Sequence, residues 1–202
     1  MVDLEKAIKN FKKNNFLVLN FKTKQEATEY LINKFNNLTI GFGDSDTLKE
    51  MKLYEKLSLT NIVIDPQNCK EGEDFYKTAN KTYGTEIFIT SVNGAAETGE
   101  LVNIDGTGNR VGSSLYGHEE VYFILGVNKI EKSLEKAIWR ARNIAAPKNA
   151  KRLKLNTPCA VLGDKCYDCN SKDRICNCMN IYLKKMESTT MEIIIINENL
   201  GF

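Results

Sequence analysis

Short apolar segments rich in β-branched residues alternate with segments of helical periodicity along most of this chain. Thr23, with Glu26 three residues later, forms a capping box that predicts the start of the second helix. Pro147, soon after the last predicted helix, indicates that this helix has ended. Because parallel strands need crossover connections, the alternation predicts an α/β fold with a mainly parallel sheet flanked by helices. We predict strands at residues 16–21, 38–42, 61–65, 86–90 and 121–127, helices at residues 4–11, 23–35, 72–83 and 133–143, and a final strand pair at residues 179–185 and 191–197.

The size and charge of the chain limit both its architecture and its partners. With 202 residues, 42% of them hydrophobic, it is long enough for one domain and short for two, so we predict a single domain over residues 1–202. Lys and Arg number 28 against 26 Asp and Glu, so nucleic acid is not expected as a partner. Charges run through residues 1–13, and no uncharged apolar stretch approaches the ~20 residues of a membrane helix. We expect a soluble, cytoplasmic protein without membrane association.

The most concentrated chemical feature is a cysteine-rich segment at residues 157–180. Five of the six cysteines lie there, in the spacing Cys159-x6-Cys166-x2-Cys169-x6-Cys176-x-Cys178. Clustered thiols in a chain without export features indicate a metal centre, because thiolates bind zinc and iron–sulfur clusters. A zinc ribbon has two C-x2-C pairs and this segment has one, so a [4Fe-4S] cluster is the favoured cofactor and zinc the alternative. Disulfides are the other interpretation, whereas the charged residues between the cysteines argue against a core segment.

The loop at residues 41–47 has the features of an anion-binding turn. Its sequence, GFGDSDT, follows a predicted strand and opens a predicted helix. Glycine permits close backbone approach, and the N–H groups and dipole at a helix start favour an anion. Gly43, Ser45 and Thr47 are therefore candidate ligand residues, whereas Asp44 and Asp46 would repel a phosphate. A turn that uses glycine and serine only for its geometry is the alternative.

A second polar stretch, residues 91–110, is rich in glycine and hydrogen-bonding side chains and follows an apolar strand. Loops at the carboxyl ends of parallel strands are where open α/β sheets bind ligands. We predict Glu97 as a base or nucleophile, and Arg110 as the group that holds a carboxylate or phosphate bidentately. The alternative is a β-hairpin in which Arg110 pairs with Asp105.

The chain has one histidine, His118. Metal sites built from several histidines are therefore excluded, and a Ser–His–Asp or Cys–His site would depend on this residue alone. The sequence around it, YGHEE, is typical of a surface turn, so we expect a solvated side chain.

Several motifs together resemble the LUD (lactate-utilisation) domain family over nearly the whole chain. The run SVNGAAETGELVNIDGTGNR at residues 91–110 is similar to the family signature, and GVNKI at residues 126–130 and AAPKNAKRL at residues 145–153 follow it. TPC at residues 157–159 and the cysteines after it match the cysteine-bearing branch of this family, and ENLGF at residues 198–202 is similar to the usual end of the domain. GFGDSDTL resembles the family's Gly-Gly-Ser-x-Thr loop, except that Asp44 stands where a second glycine is usual.

The resemblance implies a fold similar to the NagB/RpiA/CoA-transferase group, with a C-terminal cysteine-rich metal-binding loop at residues 157–180. It implies that the metal ligands are Cys159, Cys166, Cys169 and Cys176. It also implies a pocket for a small carboxylate or phosphate-bearing ligand, formed by Gly43, Ser45, Thr47, Asn93, Glu97, Thr98, Gly99, Asn109, Arg110, Asn128 and Lys129.

Three functional hypotheses follow from these features. We favour an iron–sulfur protein that acts as an accessory or electron-transfer component, with a redox partner protein, in lactate-like organic-acid oxidation. The second hypothesis is an enzyme of the CoA-transferase or sugar-phosphate isomerase type, with Glu97 as base or nucleophile and a structural zinc. The third is a ligand-sensing module without chemistry.

Overall fold

The chain forms ten strands in the part that the computed structural model describes, residues 2–202. They are β1 (Leu17–Phe21), β2 (Thr39–Phe42), β3 (Ile62–Ile64), β4 (Ile87–Thr90), β5 (Gly94–Ala96), β6 (Leu101–Asp105), β7 (Glu120–Gly126), β8 (Ile130–Glu131), β9 (Cys178–Tyr182) and β10 (Thr190–Ile196). Six of them form an all-parallel sheet in the order β1-β10-β7-β4-β2-β3. The predicted α/β architecture with a mainly parallel sheet is confirmed.

The interior position of β10 follows from its sequence. Residues 193–196 are all isoleucine and fully buried, and β10 pairs in parallel with both β1 and β7. A strand that is apolar on both faces suits the middle of a sheet that helices cover on both sides.

A second sheet of four strands has the order β8-β5-β6-β9. β5 and β6 form an antiparallel hairpin, and β9 pairs with β6 antiparallel, so that Asp105 lies opposite Cys178. The predicted pairing of the last two strands is therefore wrong, because β9 and β10 belong to different sheets. The apolar pattern identifies a strand, whereas its partner depends on burial. β9 exposes Cys178 and Met179, as an edge strand does, while β10 is buried on both faces.

Helices pack on both faces of the parallel sheet. On one face α2 (Lys24–Lys34), α3 (Asp46–Glu50) and α4 (Leu53–Leu57) contact a core that includes Tyr122 and Ile124 of β7. On the other face α1 (Leu4–Lys13) contacts a second core around Val121 and Phe123. No helix in residues 2–202 is long and apolar enough to span a membrane. The helices are α1 (Leu4–Lys13), α2 (Lys24–Lys34), α3 (Asp46–Glu50), α4 (Leu53–Leu57), α5 (Phe75–Lys81), α6 (Asn109–Leu115), α7 (Leu134–Arg140), α8 (Ala146–Arg152) and α9 (Pro158–Leu162).

The sequence indicated that the helix beginning at Leu134 ends before Pro147, but the helix continues through this residue. A π-helical turn, Ala141–Ala145, follows α7 and leads directly into α8, where Pro147 lies in the first turn. The N–H of Ala146 donates to the Ala141 carbonyl in the π turn, so the helix is continuous up to Pro147, which has no N–H to donate. The π turn shifts the hydrogen-bond register, so the helix passes the proline.

His118 is buried, contrary to the solvated side chain that its sequence context predicted. It is 4% exposed and its ring stacks on Phe88, with Nδ1 at 2.8 Å from the carbonyl oxygen of Thr85. Burial lowers its pKa, and the contact with Thr85 opposes this effect. The neighbouring residues Gly117 and Glu119 are exposed, as expected of a surface turn, but the His118 ring packs against Phe88 of β4.

Candidate functional site

A cavity of about 340 Å³ lies at the carboxyl ends of β2, β4 and β7. These strands are neighbours in the sheet order, with β4 between the other two, so the loops that follow them meet at one edge. The cavity brings together six of the residues expected to bind a ligand. They are Ser45, Thr47, Asn93, Asn109, Arg110 and Lys129.

Lys129 is buried in the wall of this cavity, with a residual exposure of 3%. Its Nζ donates to Thr47 Oγ1 at 2.9 Å and to Ser91 Oγ at 3.0 Å. Among the described residues, no carboxylate oxygen lies within ion-pair distance of this nitrogen. Burial lowers the pKa of Lys129 to about 7, and the guanidinium groups of Arg140 and Arg110 act in the same direction. Such an amine either attracts an anion or loses its proton.

The Arg110 guanidinium is fixed at the cavity by the oxygen atoms of Ile104 in β6 and of Asn93, which precedes β5. Nη2 donates to the Ile104 carbonyl at 2.5 Å and to Asn93 Oδ1 at 3.3 Å. Asp105 accepts from the backbone N–H groups of Arg110 and Val111, at 3.1 and 3.0 Å, and so holds the start of α6. The β-hairpin alternative is therefore present, but Asp105 bonds the backbone of Arg110. The side chain still lines the cavity and can hold a carboxylate.

Acidic side chains also line the cavity and set its charge balance. Asp46 forms an ion pair with Arg152 at 3.0 Å, so its charge is compensated. Asp44 accepts a hydrogen bond from Asn109 Nδ2 at 3.1 Å. Burial raises the pKa of Asp44, while Arg110 and Asn109 oppose that shift. The cavity thus combines cationic groups with acidic ones, among which the half-buried Asp44 has a raised pKa.

Glu97 lies outside this cavity, in the turn between β5 and β6. Its carboxylate accepts from Lys6 Nζ at 2.7 Å and from the N–H of Asp3 at 2.9 Å. These contacts, the Asp3 hydrogen bond first, lower its pKa. Thr98 and Gly99 belong to the same turn, which packs on α1. The structure therefore does not bring Glu97, Thr98 and Gly99 together with Arg110.

Gly43 and Asn128 lie behind the cavity lining. The N–H of Gly43 donates to the Ile89 carbonyl at 2.9 Å and continues the pairing of β2 with β4. Asn128 Oδ1 accepts from the N–H of Leu200 at 3.1 Å, and its Nδ2 donates to the Gly201 carbonyl at 3.4 Å. Asn128 therefore positions residues 200–202 rather than a ligand, and Phe202 of this segment lines the cavity.

The cysteines form no disulfide, and three of the six, Cys166, Cys169 and Cys176, lie on a segment without regular structure. Cys159 is in α9, and residues 163–177 contain neither helix nor strand. Cys166 Sγ accepts from the N–H of Asp168 at 3.3 Å, and Arg142 Nη2 lies 3.9 Å from it. Burial raises the pKa of Cys176, and Cys166 and Cys169 are near enough to add to that shift, whereas Arg174 opposes it.

The predicted metal ligands are not drawn together around one point. In residues 2–202, no group of three or more Cys, His, Asp or Glu side chains is arranged to hold a metal ion. Cys166 and Cys169 lie near enough to Cys176 to contribute to its raised pKa, and Cys159 is positioned separately by α9. Binding of a metal centre would require the loop to close around it.

A known protein family matches most of the chain: residues 4–196 fit the family model described as LUD domain. The chain belongs to the LUD domain family. The fold is similar to that of a DUF162 family protein from Deinococcus radiodurans, with a TM-score of 0.52 and 8% sequence identity over 96% of this chain and 95% of that chain. At this identity the likeness supports the fold alone. No curated protein sequence matches the chain.

In this LUD domain the cysteine segment forms part of the cavity wall. Ile175, the residue before Cys176, lines the cavity. The N–H of Asn177 donates to the Asp105 carbonyl at 3.1 Å, and Asn177 Nδ2 donates to the Gly106 carbonyl at 3.1 Å. The cavity and the cysteine segment are therefore adjoining parts of one region.

Sequence reasoning missed three polar residues of the LUD-domain site. Ser91 bonds Lys129, and its place at the start of the signature run was the available signal. Arg140 donates to the carbonyl groups of Asn93 and Asn128, and Arg152 pairs with Asp46. Both arginines lie on helices, where helical periodicity alone does not distinguish a buried arginine from a solvated one.

Proposed function

We propose that this protein is an accessory or electron-transfer component of an organic-acid oxidation system of the lactate-utilisation type. In this proposal Cys159, Cys166, Cys169 and Cys176 hold a [4Fe-4S] cluster, and the adjoining cavity binds a small carboxylate. The observation that carries the proposal is the shared wall, because Ile175 lines the cavity and Cys176 follows it directly. A ligand in the cavity would thus lie beside the cysteine-bearing loop. When bound, such a cluster supplies one-electron redox chemistry.

The donor set suits this cofactor in chemistry and in number. Four thiols outside any disulfide correspond to the four-cysteine ligation that such clusters use. Residues 163–177, which carry Cys166, Cys169 and Cys176, form no helix or strand, whereas Cys159 is held in α9, so the loop would close towards that helix. The Asp168 N–H and the Arg142 guanidinium already approach the sulfur of Cys166, and such donors tune clusters through their sulfur atoms.

The cavity suits a small anion. Arg110 supplies permanent positive charge, Lys129 adds to it when protonated, and the hydroxyl groups of Ser45, Thr47 and Ser91 supply hydrogen bonds. Nη2 of Arg110 already donates to Ile104 and Asn93, so Nη1 and Nε are the donors left for a carboxylate. A volume of about 340 Å³ accommodates a small organic acid.

Electron transfer also requires a redox partner protein. Val161 and Leu162 in α9, beside Cys159, are 69% and 63% exposed, and Tyr167 beside Cys166 is 40% exposed. Apolar side chains at the surface near the thiols suit a small, transient contact with such a partner.

The deciding measurement is the metal content and ultraviolet–visible spectrum of protein purified without oxygen. We expect about four irons per chain and broad absorption that bleaches on reduction. Cys166→Ser and Cys176→Ser should lose iron. Cys69→Ser is the matched control and should keep it, because the Cys69 thiol bonds the Pro66 carbonyl outside the segment. About one zinc per chain without colour would contradict the electron-transfer role and leave a structural clip.

A further inference from the structure

Lys129 is a buried amine, and the proposed function uses only its protonated form, as a positive charge for a bound carboxylate. Its two hydrogen-bond partners are hydroxyl oxygens, those of Thr47 and Ser91. A neutral amine has two N–H donors and one lone pair, so these two bonds leave the lone pair available. All three residues line the cavity, so the amine lies in its wall.

The charges around Lys129 favour its neutral form. Arg110 from α6 and Arg140 from α7 add to the effect of burial, while Glu50 and Asp46 from α3 oppose it. The resulting pKa of about 7 leaves a substantial fraction of Lys129 unprotonated near neutral pH. Desolvated lysines beside other cations are the ones that enzymes use as amine nucleophiles.

We propose that Lys129 forms an imine with the carbonyl carbon of a 2-oxo acid bound in the cavity. The inference rests on the proposed carboxylate-binding role of the same cavity and adds a covalent step to it. Arg110 would hold the carboxylate of the acid while the neighbouring carbonyl group meets Nζ of Lys129. A 2-hydroxy acid has the carboxylate but no carbonyl group, so it binds without forming the adduct.

Imine formation consumes only the amine and the 2-oxo acid, and it releases water. The lone pair of Nζ attacks the carbonyl carbon, a C–N bond forms, and the π electrons of the carbonyl group move to its oxygen. Both nitrogen protons end on that oxygen, which leaves as water while the C=N bond forms. Asp44 lines the same cavity, and within residues 2–202 its carboxylate forms no ion pair, so we assign it the relay of a proton from the nitrogen to the departing hydroxyl group.

Borohydride trapping tests this proposal on the full chain. The protein is incubated with pyruvate as the probe, reduced with sodium borohydride, digested and mapped by mass spectrometry. We expect one reduced adduct on the peptide that contains Lys129, and none when propionate, which has no carbonyl group at the second carbon, replaces pyruvate. An adduct spread over surface lysines, with Lys129 unmodified, would overturn the proposal.

Variants test whether the adduct forms specifically on Lys129 or on any lysine of the chain. Lys129→Met and Lys129→Arg should both lose the adduct, and circular dichroism would establish that they are folded. Lys132→Met removes an exposed lysine three residues away and should keep it. An adduct of wild-type yield in a folded Lys129→Met protein would refute the role of Lys129.

Calorimetric titration with propionate and pyruvate distinguishes failure of the imine from failure of the carboxylate site. If both acids bind in an Arg110-dependent manner and pyruvate still leaves no adduct on Lys129, the imine is refuted and the carboxylate site stands. If neither acid binds, both the site and the imine are refuted. Iron content is independent of either outcome, so the cluster assignment is tested separately.

Discussion

The backbone N–H of Asn177 donates to the carbonyl oxygen of Asp105 at 3.1 Å and so joins the cysteine segment to the loop that leads into α6. The next residue of that loop, Gly106, packs tightly on Ile175. A Cβ added at position 106 would lie 2.8 Å from the Ile175 carbonyl oxygen. Ile175 belongs to the cavity wall and precedes Cys176, so a displacement at this junction would reach both parts of the site.

We therefore expect Gly106→Ala to weaken carboxylate binding and iron retention together. Because the close neighbour is backbone, the segment must move, at a cost of roughly 1–3 kcal/mol of unfolding free energy. Denaturant unfolding, calorimetry with propionate and iron analysis would measure the three effects. Gly84→Ala is the matched control, since an added Cβ there meets nothing within 4 Å. Equal behaviour of the two variants would show that the Gly106–Ile175 contact is unimportant.

Glu97 offers a prediction that separates a structural role from a catalytic one. Its carboxylate bonds the Asp3 N–H and Lys6, and both contacts lower its pKa. A depressed carboxyl pKa stabilises the fold above the ordinary pKa of 4.5, and this stabilisation is lost as pH falls through the folded-state value. We expect Glu97→Gln to be less stable than the wild type at neutral pH, with a smaller difference in acid.

Denaturant unfolding at several pH values would measure this difference, with Lys6→Met as the companion variant. Propionate binding in the cavity should be unchanged by Glu97→Gln, because Glu97 does not line it. Loss of binding in a folded Glu97→Gln protein would instead return Glu97 to the functional site.

The parallel sheet was predictable because its strands are apolar on both faces and alternate with helices. The isoleucine run of β10 identified a buried strand in the sequence, but its place between β1 and β7 depends on contacts with distant segments. In the same way, the signature run placed Asn93, Asn109 and Arg110 at one loop cluster. It could not show that the turn at Glu97 points away from that cluster and packs on α1.

The contribution of residues 200–202 to the site also could not be predicted from the sequence. Gly201 lies near Thr47 and Lys129, which are distant from it in the chain, and Asn128 holds it there. No local pattern in ENLGF indicates this contact, because it arises only when the loops after β2, β7 and β10 meet. Spacing along the chain predicts which residues are chemically suited to a site, whereas convergence at the sheet edge decides which of them take part.

Gly201→Ala should disturb the environment of Lys129. Gly201 has φ of +58°, and a Cβ there would lie 2.6 Å from Thr47 Oγ1 and 3.3 Å from Lys129 Nζ. We expect weaker pyruvate binding and a lower yield of trapped adduct, both measured as for the wild type. Gly117→Ala also introduces a side chain at positive φ, but nothing lies within 4 Å of the added Cβ. It therefore controls for backbone strain, and an equal loss of binding in Gly117→Ala would argue against a local effect at Lys129.

The pH dependence of stability should reveal the buried amine directly. The pKa of Lys129 is about 7 in the folded chain against an ordinary 10.5, so the unfolded chain binds more protons between these values. Wild-type stability should therefore gain a contribution that rises with pH across this window. Below pH 7 the full cost of burying the ammonium is present, on the order of a few kcal/mol.

Lys129→Met removes that cost. We expect it to be more stable than the wild type below pH 7, with an advantage that shrinks as pH approaches 10.5. Denaturant unfolding of both proteins across the window gives the difference, in which the other titrating groups largely cancel. Lys132→Met, at an exposed position, should track the wild type throughout. A difference between Lys129→Met and the wild type that stayed constant with pH would mean that Lys129 keeps its proton in the folded protein, and the amine would then bind anions instead of acting as a nucleophile.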